Sequence, residues 1–280
     1  MTALFDFRDY GELLGLVGNS LVAGALLGVV GGLIGFFVMA RDLPFAVHGI
    51  SELSFAGAAG ALLVGADVVT GSVVGSVLAA LLIGLLGPRA RERNSVIGVL
   101  MPAGLGLGIL FLAVYPGRSA NRFGLLTGQV VSVDGPQVLV LGAVCLVVLV
   151  ALLLVWRPLL FASVDEEVAI ARGVPVRALS IVFMLLLALT VSVAVQTVGA
   201  LLVLALLVTP AAAALRVASG PLAVSLLSML FATVSIVGGI LLALGAAIPI
   251  SPFVTSISFL IYLGCRIAGA RRPSRLRSRP

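Results

Sequence analysis

The chain has 280 residues, of which 61% are hydrophobic and only 10% charged, and its mean hydropathy is +1.29. Soluble domains are about half apolar, so this composition excludes a soluble globular protein and indicates a membrane protein. The net charge of +6 arises from 17 Arg and no Lys, and these Arg flank apolar runs, so we expect membrane lipid rather than nucleic acid as a partner.

The apolar runs predict eight or nine transmembrane helices. A bilayer core of about 30 Å needs about 20 apolar residues per helix. Runs with few or no charges occupy residues 13–40, 43–66, 68–88, 95–117, 135–156, 178–215 and 217–265. Each of the last two is long enough for two helices, with turns expected at 196–199 and 247–252. The sequence therefore predicts an all-α, polytopic helical bundle in the plasma membrane, forming a single domain over residues 1–280.

The distribution of Arg predicts which side of the membrane each loop faces. Cytoplasmic loops carry the excess of positive charge, and placing the basic tail 266–280 inside puts fourteen of the 17 Arg there. An odd number of crossings then leaves the N-terminal segment 1–12 outside, unless residues 5–16 lie along the interface. That segment has no basic stretch followed by a cleavage site, so we expect no removable signal peptide.

Small residues are frequent in the predicted spans, as in GALLGVVGGLIG at 24–35 and GSVVGSVLAA at 71–80. In lipid, small residues allow helix backbones to approach closely, so we expect most of these glycines to pack helices. Cys145 and Cys265 lie within apolar runs and indicate neither a disulfide framework nor a metal site.

One predicted cytoplasmic loop has clustered acids and reads RPLLFASVDEEVAIARGVPVR from residue 157 to residue 177. We expect Pro158 to follow the end of the span and Ser163 or Asp165 to cap a new helix of about two turns. Its acidic first turn suits the helix dipole, and Gly173 would stop it. The sequence therefore predicts a short helix over residues 164–174, which is either an interfacial linker or a docking element for a cytoplasmic partner.

Three segments in order resemble permease subunits of the zinc and manganese branch of ATP-binding-cassette importers. DEEVAIARGVPV at 165–176 resembles the coupling-helix motif of these permeases. QTVGALLVLALLVTPAAAALR at 196–216 is similar to a Val-Gly, Leu-rich, Thr-Pro-Ala-Ala segment of the same branch. RDLPFAVHGISELSFAGAAGALLVG at 41–65 is similar to the stretch after the family's first span. The resemblance covers residues 21–265.

The resemblance implies a type II importer fold, like that of cobalamin-importer permeases but shorter, which homodimerises around a translocation path. An extracellular metal-binding protein would deliver the ion. A separate cytoplasmic ATPase subunit would dock on the coupling helix through Asp165, Glu166, Glu167, Ala169, Ala171 and Gly173. No GxxxxGK[ST] phosphate-binding loop occurs in the sequence, so we expect no enzymatic activity in this chain and no permanently bound cofactor.

His48 and Glu52 are the ionisable residues that we expect within a span, where an insertion cost of about 2.5 to 3.5 kcal/mol makes a functional role the default. Four residues apart, they share one face of a helix and can bind one divalent cation. Two copies across a dimer axis would supply four ligands, a set that suits zinc and tolerates manganese or iron. The family usually shows Gly-Asp, two residues, then Ser-His; aligned on Ser51, the two ligand types are exchanged here.

A second interpretation places this pair at the cytoplasmic interface, because it closely follows Arg41 and Asp42. Glu52 would then neutralise an Arg. We expect Ser51 and Ser54 to hydrogen-bond back to their own helix rather than to bind metal.

The sequence favours a permease subunit of an ATP-driven importer for zinc or manganese, with iron as a further candidate ion, over two alternatives. A gradient-driven secondary transporter would need coupling carboxylates near the midplane and usually two similar halves. Glu52 is the one candidate carboxylate, and the sequence shows no convincing internal repeat. A permease for chelated iron generally has a longer chain and ten spans.

On the extracellular side, Arg118 and Arg122 would suit an acidic surface of the binding protein.

Overall fold

The computed structural model describes most of the chain, in four stretches and two single positions: 17–86, 90–117, 133–245, 249–270, Gly11 and Leu14. The regular elements of these stretches are α-helices: α1 (Gly18–Ala40), α2 (Pro44–Val64), α3 (Val68–Leu86), α4 (Ala90–Val114), α5 (Gly135–Val164), α6 (Glu166–Ala171), α7 (Val176–Val198), α8 (Ala200–Val217), α9 (Pro221–Leu244) and α10 (Ile250–Ala270). Arg118, Arg122 and residues 271–280 lie outside the described residues, and so does the segment 1–12 except Gly11. The predictions for these positions therefore remain predictions.

Nine of the ten described helices are long and apolar. Eight of them have the length and hydropathy to cross a bilayer. The ninth, α8, has 18 residues and is about 27 Å long. The predicted all-α bundle of eight or nine spans is therefore confirmed for the described residues. The two long apolar runs divide where expected, at Gly199 and between Leu244 and Ile250.

Three helices continue beyond their apolar runs at the Arg-rich end. α4 begins at Ala90 rather than near residue 95, and α10 continues to Ala270. α5 runs through Pro158 to Val164, so the helix continues past the proline at which we expected the span to end. Hydropathy detects only the part of a helix that lies in lipid, whereas Arg, Glu, Leu and Ala favour helix in water too. Pro158 costs α5 one backbone hydrogen bond without ending it.

Helices α2, α3 and α4 form one closely packed group. A Cβ atom at Gly57 in α2 would overlap the carbonyl of Gly71 in α3, and one at Gly75 would overlap the carbonyl of Leu53. Along these positions the two backbones are in contact, as small residues allow in lipid. α4 approaches the other side of α2 at Gly104.

Helices α1, α8, α9 and α10 form a second group. A Cβ at Gly32 in α1 would lie 2.5 Å from the Cα of Met229 in α9, and one at Gly35 would overlap the carbonyl of Leu207 in α8. α10 packs on α8 and α9. The expected role of the small residues in helix packing is thus confirmed in both groups.

Helices α5 and α7 link the two groups. α7 packs on α3 and α5, and α5 packs on α1. A cluster of four aromatic rings joins α1, α5 and α7, with centroids 4.9 to 6.0 Å apart: Phe36, Phe37, Trp156 and Phe183. Such edge-to-face and stacked pairs fix ring orientation as well as distance. The cluster therefore holds these three helices together beside α6.

Candidate metal site and coupling helix

His48 and Glu52 lie on α2, close to its first turn. Pro44 occupies that turn, where its missing N–H needs no partner. With a rise of 1.5 Å per residue, His48 lies about 6 Å and Glu52 about 12 Å along the helix from Pro44. His48 Nε2 and Glu52 Oε1 are 3.7 Å apart, and their side chains are 30% and 5% exposed. The structure therefore brings the predicted pair together, with the carboxylate buried.

Two polar atoms of this pair have no hydrogen-bond partner among the described residues. They are His48 Nδ1 and Glu52 Oε2, and both are buried. Leaving a buried polar atom unpaired costs about 1 to 3 kcal/mol, so both atoms favour an additional partner. Imidazole nitrogen and carboxylate oxygen are ligands that zinc and manganese accept.

Among the described residues of one chain, only the side chains of His48 and Glu52 are placed to bind an ion at this position. Within the four described stretches, no group of three or more His, Cys, Asp or Glu lies close enough to hold a metal ion. A full coordination shell would need further ligands from water or from a second copy of the chain.

The backbone at Glu52 is fixed by its helix neighbours. A Cβ at Gly104 in α4 would lie 2.9 Å from the carbonyl carbon of Glu52 and 2.7 Å from the Leu53 side chain. Ser51 donates to the carbonyl of His48 at 2.9 Å, so its predicted bond to its own helix is confirmed.

Ser54 behaves differently from the prediction. Its hydroxyl lies 2.7 Å from that of Ser72 in α3, which in turn donates to the carbonyl of Ser192 in α7 at 3.2 Å. Either hydroxyl can donate in the Ser54–Ser72 pair, and the Ser54 hydroxyl also donates to the backbone carbonyl of Ser72 at 3.2 Å. The prediction that Ser54 bonds to its own helix is wrong, because α3 lies so close that a neighbour's hydroxyl is within reach. We call Ser54, Ser72 and Ser192 the serine ladder.

The predicted short helix after α5 exists as α6. Asp165 caps it: its Oδ1 accepts from the backbone N–H of Val168 at 3.0 Å. Ser163, the other candidate cap, instead donates to the carbonyl of Leu159 within α5. The helix ends in a Schellman motif, in which Gly173 has φ +79° and the N–H of Val174 bonds to the carbonyl of Ala169 at 3.0 Å. The observed helix has six residues, shorter than the predicted 164–174.

The side chains of α6 divide into a buried and an exposed set. Ala169 is fully buried and packs against the bundle. Its position leaves the other predicted docking residues at the surface: Asp165, Glu166, Glu167, Ala171 and Gly173. Val168 and Ile170 are 43% and 58% exposed. The free surface of α6 is therefore acidic and carries two apolar side chains.

A cavity of about 1330 Å³ lies beside α6. The turn between α1 and α2, the ends of α3 and α5, and the beginnings of α4 and α7 line it. Its charged lining residues include Arg41, Arg93, Arg177, Asp42 and Glu166. These Arg, which the charge distribution predicts to be cytoplasmic, thus lie together at one end of the bundle.

Arg41 has contacts that the sequence did not indicate. Its guanidinium donates to Ser163 Oγ at 3.3 Å and to Ser180 Oγ at 2.5 Å, and its Cζ lies 5.9 Å from the centre of the Phe183 ring. Burial lowers the pKa of Arg41, and the charge of Glu166 opposes that change. The serines are 122 and 139 residues away in sequence, so no local pattern could have identified these contacts.

Comparisons with known proteins relate the chain to metal permeases. A family model described as the ABC 3 transport family matches residues 14–268. The manganese transport system membrane protein MntC of Halalkalibacterium halodurans is 33% identical over 223 residues, covering 79% of this chain and 76% of MntC. The high-affinity zinc uptake system membrane protein ZnuB of Haemophilus influenzae is 25% identical, covering 80% of this chain and 86% of ZnuB. A solved structure, PsaBC from Streptococcus pneumoniae in complex with Fab, matches with a TM-score of 0.83 and 26% identity, covering 93% of this chain and 95% of that chain.

Proposed function

Since the chain belongs to the ABC 3 transport family, we propose that it is the multi-pass permease subunit of an ATP-driven importer for manganese or zinc in the plasma membrane. The observation that carries this proposal is the match over residues 14–268, joined to a bundle with eight helices able to cross a bilayer. The named relatives are a manganese and a zinc system protein, so either ion is a candidate cargo. A gradient-driven transporter and a chelated-iron permease are not favoured.

His48 and Glu52 hold the ion during its passage. The burial of Glu52, the 3.7 Å separation of the two side chains and their two buried unpaired polar atoms support this role. The exchange of ligand types relative to the family pattern changes the order of nitrogen and oxygen along α2 but keeps one of each per chain. In a homodimer, two such pairs would complete a four-ligand shell. Separation of the two pairs would break this shell and let the ion leave.

ATP hydrolysis belongs to a separate cytoplasmic subunit that docks on α6, and an extracellular metal-binding protein supplies the ion. The acidic and apolar free surface of α6 supports the first contact. Charge complementarity of the type common at protein interfaces would guide the approach of the partner.

The deciding experiment measures metal uptake into vesicles that contain the permease, its ATPase subunit and its binding protein, with Mn²⁺ and Zn²⁺ tested separately. We expect ATP-dependent uptake of one ion, reduced at least about tenfold by H48A and by E52Q, since each removes a ligand. S51A serves as the control, because Ser51 bonds only to the backbone of its own helix. Uptake that survives both ligand changes would remove the metal role of the pair, and no uptake of either ion by the wild type would overturn the proposed function.

A further inference from the structure

The turn between α1 and α2 carries a side chain that joins it to both flanks of α6. Arg41, the first residue after α1, donates to Ser163 near the end of α5 and to Ser180 in the first turns of α7. α6 lies between these two serines in the chain. The guanidinium also lies over the Phe183 ring, at the edge of the aromatic cluster. One side chain thus touches both helices that hold α6.

A second arginine holds the same turn from α4. Arg93 Nη2 lies 3.5 Å from the carbonyl oxygens of Arg41 and Asp42. Asp42 has φ +53°, a left-handed conformation that residues other than glycine seldom adopt, so the surrounding contacts must maintain the turn. Glu166, the first residue of α6, lines the same cavity and interacts electrostatically with both guanidinium groups.

The turn leads directly into the helix that carries the metal pair. α1 and α2 make few contacts beyond this turn, whereas α2 is in backbone contact with α3 and α4. A displacement of residues 41–43 therefore reaches the α2–α3–α4 group as a whole. His48 follows Arg41 by seven residues, within the first two turns of α2.

We propose that Arg41 is a positioning residue that links α6 to α2, so that movement of α6 by a docked ATPase shifts the His48–Glu52 pair. This inference rests on the proposed function. The planar guanidinium can reach two hydroxyl groups at once, which a lysine ammonium in the same place does not do with the same geometry. The link is therefore a property of arginine and not of positive charge alone.

The test uses the complete complex of permease, ATPase and binding protein in vesicles. It measures uptake of Mn²⁺ or of Zn²⁺, each in its own sample, together with ATP hydrolysis in the same sample. One variant is R41K, which keeps the charge. A second is the double change Ser163→Ala and Ser180→Ala, which keeps Arg41 and removes its acceptors. R177K is the matched control, since Arg177 lines the same cavity but lies outside the link.

We expect both link variants to transport at least about tenfold fewer ions per ATP hydrolysed, while R177K keeps the wild-type ratio. Equilibrium binding of Mn²⁺ to the complex without nucleotide should stay within about twofold of wild type, because the ligands themselves are unchanged. An unaltered ion-to-ATP ratio in both link variants overturns the inference. So does an equal fall in binding, hydrolysis and uptake, which would indicate general destabilisation. If the wild type itself moves neither ion, the proposed function fails first.

Discussion

A single hydrogen atom at position 104 allows α4 to reach the backbone that carries Glu52. A Cβ there would come within 3.0 Å of the Glu52 carbonyl carbon and the Leu53 nitrogen, and backbone atoms have no rotamer by which to move away. The placement of the buried carboxylate therefore depends on a residue that has no side chain. Two positions further along, Gly106 meets nothing within 4 Å.

Substitution at these two glycines gives a matched pair. We expect G104A to push α2 away from α4, to lower the unfolding temperature in detergent and to reduce metal uptake about tenfold. G106A should leave uptake unchanged, and because alanine favours helix by about 1 kcal/mol, its unfolding temperature should equal or exceed that of wild type. Equal unfolding temperatures and equal metal uptake in the two variants would show that the close approach of α4 to α2 at residue 104 does not matter for function.

Residue contacts were predictable from the sequence only where they are local. The shared face of His48 and Glu52 follows from their spacing along a helix, and so does the bond from Ser51 to the His48 carbonyl. The partners of Ser54 and Arg41 lie on other helices. Which helices are neighbours is set by packing across the whole bundle, and no short pattern encodes it.

At the scale of the element, the existence of α6 was predictable because its signals are local, although the six-residue helix is shorter than the predicted 164–174. An acidic cap, a glycine with positive φ and a following proline determine where it begins and ends. Its outward side is less evident from sequence, since only the fold shows that Ala169 is buried while Val168 is exposed.

The docking role of α6 can be tested with a charge on its exposed apolar surface. We expect V168E to weaken copurification of the ATPase subunit at least about thirtyfold, because the interface would bury an unpaired carboxylate. V64E is the control: Val64 is a 77% exposed valine at the other end of the molecule, on the last turn of α2. Normal copurification with V168E, or an equal loss with V64E, would contradict docking through α6.

At the scale of the whole molecule, nine long helices among the described residues would place the start of α1 and the end of α10 on opposite sides of the membrane if all nine cross it. Hydropathy predicted their number because each span must fill the bilayer. It missed the extensions of α4, α5 and α10 beyond their apolar runs. The Arg that line one cavity lie together at one end of the bundle, and the charge distribution predicts that this end is cytoplasmic.

Cysteine labelling tests this orientation. In a background of C145A and C265A, we expect A66C to react with a membrane-impermeant maleimide in intact cells, because the turn after α2 faces outside. S219C, in the turn after α8 at the Arg-rich end, should react only after permeabilisation. Both positions are exposed, so accessibility to water is matched. The reversed pattern would invert the orientation.

The serine ladder has a consequence for transport across an energised membrane. It joins α2, α3 and α7 through hydroxyl and carbonyl groups, which carry no net charge, so a membrane potential does almost no work on these groups when the helices move. The field acts instead on the cargo, at about 2.3 kcal/mol per elementary charge per 100 mV, or about 4.6 kcal/mol for a divalent cation. The voltage dependence of uptake would then reflect mainly the charge of the ion and that of Glu52. The movement of the neutral ladder groups would contribute hardly anything to it.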